Sequence, residues 1–323
     1  MTRLLAFIAA MLLSSLAVSS ACIAGTGEAM RFTIEPAHGS KGDVHATFRN
    51  SGERHDHSWS TDFPAAQLAG LDLAQLRSGR SAPVRFAVVR EAGRLDCAGN
   101  SGGGMATGSC GFTSNAAFVD DLVRRGMSRP TDDQAFALMA VNVRHDIVDA
   151  LHASRYPVPS VDNLVALTAV GVTSDYINGL ARVGYRLATL DTLLQFKAMD
   201  ITPQFIQGYV RLGYDKMPAD QLVQLKALDI GADYIADFER IGYGRLPIDE
   251  LVQMKALGVT PAYVASFKPL GYGRIEVDQL VQMKALGVDA DYVRAVQQST
   301  AERPTVGRLV QLRAIGFRPR DRR

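Results

Sequence analysis

Hydrophobic and polar positions repeat every 29 residues between positions 160 and 317 of the chain. Each copy contains a leucine that is followed five residues later by an alanine. The leucines are Leu164, Leu193, Leu222, Leu251, Leu280 and Leu309, and the alanines are Ala169, Ala198, Ala227, Ala256, Ala285 and Ala314. A fixed period of this size is typical of a solenoid or array of repeated supersecondary units.

The first half of each copy predicts a short amphipathic helix, as residues 246–272 illustrate. Leu251, Met254 and Leu257 recur at helical spacing and form the expected apolar face. Gly258 follows where a residue in the left-handed conformation commonly ends a helix. This half of the copy is therefore expected to be one helix with a glycine cap.

The second half of the same copy predicts another helix. Thr260 is placed to cap its N-terminus, Pro261 suits the first helical position, and Gly271 ends it. The final glycine is followed by tyrosine in several copies, namely Gly184-Tyr185, Gly213-Tyr214 and Gly242-Tyr243. Each unit is thus expected to contain two helices, and the shared alanine is interpreted as the point where helices approach most closely.

The helical array is expected to extend over residues 114–317. A lone helix near residues 114–125 opens it, and a half-copy at residues 309–317 ends it. Degenerate terminal units are typical of such arrays because their outer faces meet water. Residues 318–323 form a basic tail.

Residues 1–24 predict a signal peptide. Arg3 supplies the positive region, residues 4–16 the apolar core, and small residues the cleavage site. The apolar run is short for a membrane span, so no transmembrane span is expected in the mature chain. We expect a periplasmic or secreted protein, and lipidation of Cys22 is an alternative that anchors it to a membrane.

Residues 28–112 predict a small β-rich domain, because residues 31–35, 44–49 and 84–89 alternate between apolar and polar. Cys97 and Cys110 lie at equal distances from the centre of a Gly103-Gly104 turn, which predicts a disulfide across a hairpin. The expected fold class is therefore α+β. A small N-terminal β-rich domain with a hairpin disulfide precedes an α-solenoid of 29-residue two-helix repeats.

The motifs of common catalytic and cofactor sites are missing from the sequence. It contains no His-Glu-x-x-His motif, no Gly-x-Ser-x-Gly motif and no phosphate-binding glycine loop. We therefore expect that the protein is not an enzyme and binds no cofactor. A net charge of +2 does not indicate binding to nucleic acid.

Four histidines lie close together in the sequence, namely His38, His45, His55 and His57. They allow a metal site if His45 and His57 share one face of a hairpin. The competing explanation is that they are surface histidines, and no metal is assigned.

The repeat also places one basic residue per copy in a candidate binding ladder. Its members are Lys197, Lys226, Lys255, Lys284 and Arg313. Such a ladder could bind an extended or anionic partner along the array. The competing explanation is a structural role, through hydrogen bonds between repeats and electrostatics at helix ends.

Three stretches of the sequence together indicate a family resemblance. They are Asp62-Phe63-Pro64 with Leu68-Ala69-Gly70-Leu71, Val84-Arg85-Phe86 with Arg90-Glu91-Ala92-Gly93, and Gly126 with Arg129-Pro130-Thr131 and Gln134-Ala135-Phe136-Ala137-Leu138. With the repeats, they resemble the extracytoplasmic C-terminal region of bacterial β-lactam-sensor (antirepressor-type) metallopeptidases. The resemblance implies an envelope location and a sensing or interaction role. The peptidase motif and membrane spans of that family are missing, so no catalytic residue carries over.

Two functions follow as expectations. The first is an exported, non-enzymatic interaction protein that presents its helical repeats to a protein or peptide partner in the cell envelope. The alternative is a sensor-like protein that binds a small ligand or cell-wall fragment through the β-rich domain, in a pocket near Trp59.

Overall fold

The computed structural model describes residues 30–37, 39, 42–52 and 55–319. This part of the chain contains an antiparallel, curled sheet of 7 strands at the N-terminal end and 15 helices, of which all but the first follow the sheet, and about 48% of the residues are helical. The α+β class is therefore confirmed. The predicted signal peptide, Cys22, His38 and residues 320–323 of the basic tail lie outside the described residues.

The sheet is a continuous antiparallel layer with the order β3-β2-β1-β7-β6-β5-β4. Its strands are β1 (Met30–Pro36), β2 (Asp43–Gly52), β3 (His55–Pro64), β4 (Leu68–Ala69), β5 (Ala82–Arg90), β6 (Gly93–Gly102) and β7 (Met105–Ser114). Alternate residues of the strands bury one face, which includes Phe32, Phe48 and Phe86. Helix α1 (Leu73–Arg77) contacts β1, β6 and β7 and buries Leu76.

The predicted disulfide is present. Cys97 and Cys110 are directly opposite each other on β6 and β7, and their Sγ atoms are bonded. The hairpin turns at Gly103 and Gly104, which both have positive φ angles of 62° and 86°. Glycine adopts this conformation at little cost, so the sequence signal and the backbone agree.

Four helices follow the sheet in the first compact unit, and the first of them confirms the predicted lone helix. They are α2 (Ala116–Arg124), α3 (Asp132–Ala140), α4 (His145–Ala153) and α5 (Val161–Ala169). Arg90 on β5 links α3 to the sheet, since its Nη1 donates to the carbonyls of Met139 at 2.8 Å and Ala140 at 2.6 Å. Burial lowers the pKa of this guanidinium. These hydrogen bonds satisfy carbonyls at the C-terminal end of α3.

The described chain divides into two compact units. The first runs to Asn178 and includes Ala188–Leu194, and the second comprises Gly179–Leu187 and the residues from Gln195 onward. The remaining helices are α6 (Ser174–Arg182), α7 (Leu190–Ala198), α8 (Pro203–Arg211), α9 (Ala219–Ala227), α10 (Ala232–Arg240), α11 (Ile248–Ala256), α12 (Pro261–Ala265), α13 (Val277–Ala285), α14 (Ala290–Ser299) and α15 (Val306–Ala314).

The 29-residue period is preserved in the positions of the helices. The first helices of successive copies, α5, α7, α9, α11, α13 and α15, begin 29 residues apart and are nine residues long. In the second unit, α9 contacts α11, α11 contacts α13, and α13 contacts α15. Among the second helices, α8 contacts α10 and α10 contacts α12. Equivalent helices therefore lie next to each other in consecutive copies.

Burial confirms the leucines of the motif and corrects two details. All six leucines are fully buried, whereas all six alanines are exposed in the last turn of their helices, so the alanines do not mark a close helix contact. Leu257 is 39% exposed, and Ile248 joins Leu251 and Met254 on the buried face instead. Residue 257 is the C-cap, where the chain leaves the helix and its side chain leaves the buried stripe.

The second helix of the copy at 246–272 is shorter than expected. It ends at Ala265 and is followed by a 3₁₀ turn over Lys268–Leu270. Pro269 has no backbone N–H to donate and its ring clashes with the preceding turn, which explains the break. Gly271 still closes the segment in the left-handed conformation at φ 84°.

Candidate functional site

The tyrosine of each Gly-Tyr motif bonds to the segment that leads into a first helix 32 residues further along the chain. The hydroxyls of Tyr185, Tyr214, Tyr243 and Tyr272 donate to the backbone carbonyls of Met217, Leu246, Ile275 and Pro304, at 2.8, 2.6, 2.7 and 2.6 Å. Burial raises the pKa of all four phenols. Because donor and acceptor belong to different copies, these bonds fix the register of neighbouring repeats.

A second set of aromatic residues lies on the second helices. Tyr209, Tyr234 and Tyr263 donate to the carbonyls of Ile230, Val259 and Val288, which belong to the following copy. Burial raises the pKa of Tyr234 to about 12 and also raises that of Tyr263. These tyrosines therefore provide a second set of hydrogen bonds between consecutive copies.

The structure brings the predicted basic ladder onto these aromatic rings. Lys226 lies over Phe205, Lys255 over Tyr234, Lys284 over Tyr263 and Arg313 over Tyr292, at 5.1, 5.0, 4.6 and 4.8 Å from the ring centroids. Each cation thus contacts the second helix of the preceding copy. Lys197 has the equivalent position on α7 and is half-buried. Cation–π contacts of this kind give the ladder a structural role between copies.

The charge of the ladder changes along the array. Lys226 lies 3.6 Å from a carboxylate oxygen of Asp200, and Lys255 lies 3.8 Å from one of Asp229. Gly258 and Gly287 occupy the corresponding positions next to Lys284 and Arg313. Within the described residues, these two cations therefore have no carboxylate partner. The C-terminal part of the ladder carries uncompensated positive charge.

A second basic ladder was missed in the sequence. Arg245, Arg274 and Arg303 are exposed and stack over Tyr214, Tyr243 and Tyr272, at 5.0, 5.5 and 5.8 Å from the ring centroids. These arginines are also 29 residues apart, and this spacing would have allowed the ladder to be predicted from the sequence. An open cleft of about 400 Å³ lies beside the first pair and is lined in part by Lys216 and Pro247.

The outer face of the sheet carries the other candidate surface. A shallow concavity of about 650 Å³ is lined by Arg85, Arg94, Asp96, Ser109 and small residues above the disulfide. Arg94 forms an ion pair with Asp96 at 2.8 Å. This concavity is not the pocket that was expected near Trp59. Trp59 lies on the opposite face of the sheet, where it packs against Phe48, Phe63 and Phe136.

The register of the sheet bears on the histidine hypothesis. His45 on β2 pairs with Asp62 on β3, and its Nδ1 lies 2.7 Å from Asp62 Oδ1. The same register pairs His57 with Asn50, so His45 and His57 are not cross-strand neighbours. Within the described residues, no three side chains of His, Cys, Asp or Glu are grouped as metal ligands.

No family model, curated protein or solved structure matches this chain. In the described part of the sequence, none of the individual helices has the length and hydrophobicity needed to cross a bilayer.

Proposed function

We propose that this protein is an exported, non-enzymatic interaction protein whose repeats form an α-solenoid and present a surface to a protein or peptide partner in the cell envelope. The main support is that equivalent helices of consecutive copies contact each other within residues 195–319. Repeats that contact only their neighbours form extended surfaces, which such proteins use for binding.

The contacts between copies favour a preorganised surface. Tyrosine hydroxyls and the cations above their rings connect different copies, as for Tyr243 with Ile275 and Arg274. A rigid surface loses little conformational entropy when a partner binds, so its affinity per contact is higher. The envelope location rests on the signal peptide pattern and on the resemblance to sensor repeat regions.

Photo-cross-linking in the intact chain tests this proposal. Benzoylphenylalanine replaces Ala256 or Ala285, which are exposed on the repeats, or Ala98, which lines the sheet concavity. We expect one protein to cross-link at both repeat positions in cells that make the native chain, and an excess of unmodified chain to suppress the adducts. Adducts at Ala98 alone, or no adducts, would overturn the proposal.

The alternative is the binding of a small ligand or cell-wall fragment by the β-rich domain. The concavity on the outer face favours it, because exposed Arg85 lines it together with the Arg94–Asp96 ion pair. A screen of muropeptides and β-lactams by thermal shift, repeated with Arg85→Ala, tests it. A stabilising ligand whose effect is lost in Arg85→Ala would support this function, and no shift would exclude the compounds screened.

A further inference from the structure

Exposed apolar side chains recur where the first helix ends in the last three copies of the repeat. The C-cap residues Leu257 and Leu286 are 39% and 38% exposed, and Ile315 is 77% exposed. The helix caps do not need these side chains, since Val259 and Val288 are the buried residues that close them. Single exposed apolar residues are ordinary, but a row with a fixed spacing indicates a binding surface.

Cations of the basic ladder lie between these apolar residues. Arg313 Nε donates to the carbonyl of Leu286 at 3.1 Å, so the guanidinium lies beside the end of the preceding first helix. Lys284 Cε lies 3.7 Å from the position that a Cβ would take at Gly258, the neighbour of Leu257. Apolar and basic groups therefore alternate along what we call the apolar–basic edge, defined as Leu257, Lys284, Leu286, Arg313 and Ile315.

The apolar–basic edge is positively charged. Gly258 and Gly287 stand where earlier copies have the carboxylates that neutralise Lys226 and Lys255. The two acidic residues that follow Gly287 have other partners: Asp289 accepts from the backbone N–H of Tyr292, and Asp291 pairs with Arg294. The helix dipole explains a cation in the last turn, but it does not explain exposed leucines beside it.

The spacing of the edge selects a partner conformation. Packed helices lie about 8–10 Å apart, so equivalent side chains of adjacent copies should have a similar separation. A polyproline II helix presents every third residue on one side, about 9 Å apart. A β-strand repeats a face every ~7 Å and an α-helix every ~5.4 Å, so both match less well.

We propose that the apolar–basic edge binds an extended acidic peptide in the polyproline II conformation, with an apolar side chain at every third position and carboxylates between them. The apolar side chains would contact Leu257, Leu286 and Ile315, and the carboxylates would face Lys284 and Arg313. Half-buried Tyr263 lies beneath Lys284, and aromatic surfaces are typical of polyproline II sites. This inference rests on the proposed function and names its partner class.

Peptide binding to the intact protein tests the inference. The probe is a fluorescent peptide in which Leu-Glu-Pro is repeated four times, measured by anisotropy. One control peptide has lysine for glutamate, and another has the same composition with leucine at every second position. We expect binding of the first peptide only, and weaker binding at an ionic strength of about 0.5 M than at about 0.05 M. Equal binding of all three peptides, or none, would overturn the inference.

Variants of the protein separate the two contributions. Lys284→Glu with Arg313→Glu, and separately Leu257→Ser with Leu286→Ser, should each weaken binding by about tenfold or more. Arg211→Glu with Arg240→Glu is the matched control, because it changes the net charge equally at exposed positions on the second helices. Circular dichroism would verify that all variants fold. Unchanged affinity in the edge variants would contradict the inference.

Two further outcomes are distinguishable. If the edge instead joins two copies of this chain, sedimentation velocity would show a dimer that the Leu257→Ser, Leu286→Ser variant dissociates, and the peptide inference would be wrong. If cross-links at Ala256 and Ala285 persist while the acidic peptide does not bind, the interaction function stands and only this partner class falls.

Discussion

The hydroxyl of Tyr243 donates a hydrogen bond to the carbonyl of Ile275, 2.7 Å away and 32 residues further along the chain. Both groups are buried, and the backbone N–H of Ile275 also lies 3.3 Å from the same hydroxyl. Tyr292 provides a contrast, because its hydroxyl is buried without a hydrogen-bond partner among the described residues. A buried tyrosine hydroxyl therefore has a hydrogen-bond partner at position 243 and lacks one at position 292.

Removing the Tyr243 hydroxyl should destabilise the repeats. Tyr243→Phe leaves a buried carbonyl without its donor, and we expect the free energy of unfolding to fall by about 1–3 kcal/mol. Urea unfolding followed by circular dichroism measures the change. Tyr292→Phe is the matched control and should be neutral or stabilising, since it removes an unsatisfied hydroxyl. Equal losses in both variants would contradict a role for the hydrogen bond.

The repeats should unfold at alkaline pH. Burial raises the pKa of Tyr234 to about 12, whereas a tyrosine in an unfolded chain has a pKa of about 10. The unfolded state therefore loses protons first, so the contribution to stability is complete below pH ~10 and is lost as the pH rises through about 12. Tyrosinate absorbance and circular dichroism recorded together should change in one step. Tyr234→Phe should make the decline shallower, and ionisation of all tyrosines near pH ~10 without loss of helicity would refute this prediction.

A charge at Leu251 should disrupt several copies. Leu251 is fully buried, so Leu251→Asp places an unpaired carboxylate in the core and should cost at least about 4 kcal/mol. Neighbouring copies should unfold with it, because each is stabilised by its neighbours. Leu257→Asp makes the same chemical change at an exposed C-cap and should cost no more than about 1 kcal/mol. Similar melting curves for the two variants would remove the support for stacked repeats.

Reduction of the disulfide should weaken the sheet. Cys97 and Cys110 close a loop with a sequence separation of 13, for which the chain-entropy account gives about 3 kcal/mol. Trp59, the single tryptophan, lies in the aromatic cluster of the sheet and reports its unfolding by fluorescence. We expect the Trp59 transition to occur at lower urea concentration in Cys97→Ser with Cys110→Ser. The transition of the oxidised wild type is the reference, and an unchanged midpoint would contradict the prediction.

The partly correct predictions show where local patterns are insufficient. The alternation of strands, the Gly103-Gly104 turn and the leucine period all identified real elements. Single substitutions between copies mattered more than the similarity of the copies suggested. Pro269, which stands where the preceding copy has Arg240, breaks the second helix of one copy, and Gly258 replaces the aspartate that earlier copies place beside the ladder. An averaged repeat motif conceals such differences because they alter neither its period nor its apolar positions.

The candidate surfaces needed the spatial arrangement of the chain. Arg245 and Tyr214 are 31 residues apart in sequence, yet the guanidinium stacks on the ring in the folded array. The exposure of Leu257 could not be predicted from its helical spacing to Leu251 and Met254, because Leu257 is the C-cap, where the chain leaves the helix.

Local patterns in the sequence were sufficient to predict the β-rich part followed by helices, the 29-residue period, the buried leucines and the cysteine pairing. These depend on local periodicity, turn chemistry and caps, which are properties of short segments. The folded arrangement of the helices was needed to establish which tyrosines bond to which carbonyls, which cations lack a carboxylate partner, and which apolar residues are exposed. Those outcomes depend on contacts between residues about 20 to 30 positions apart, and a pattern along one chain does not specify how neighbouring copies pack.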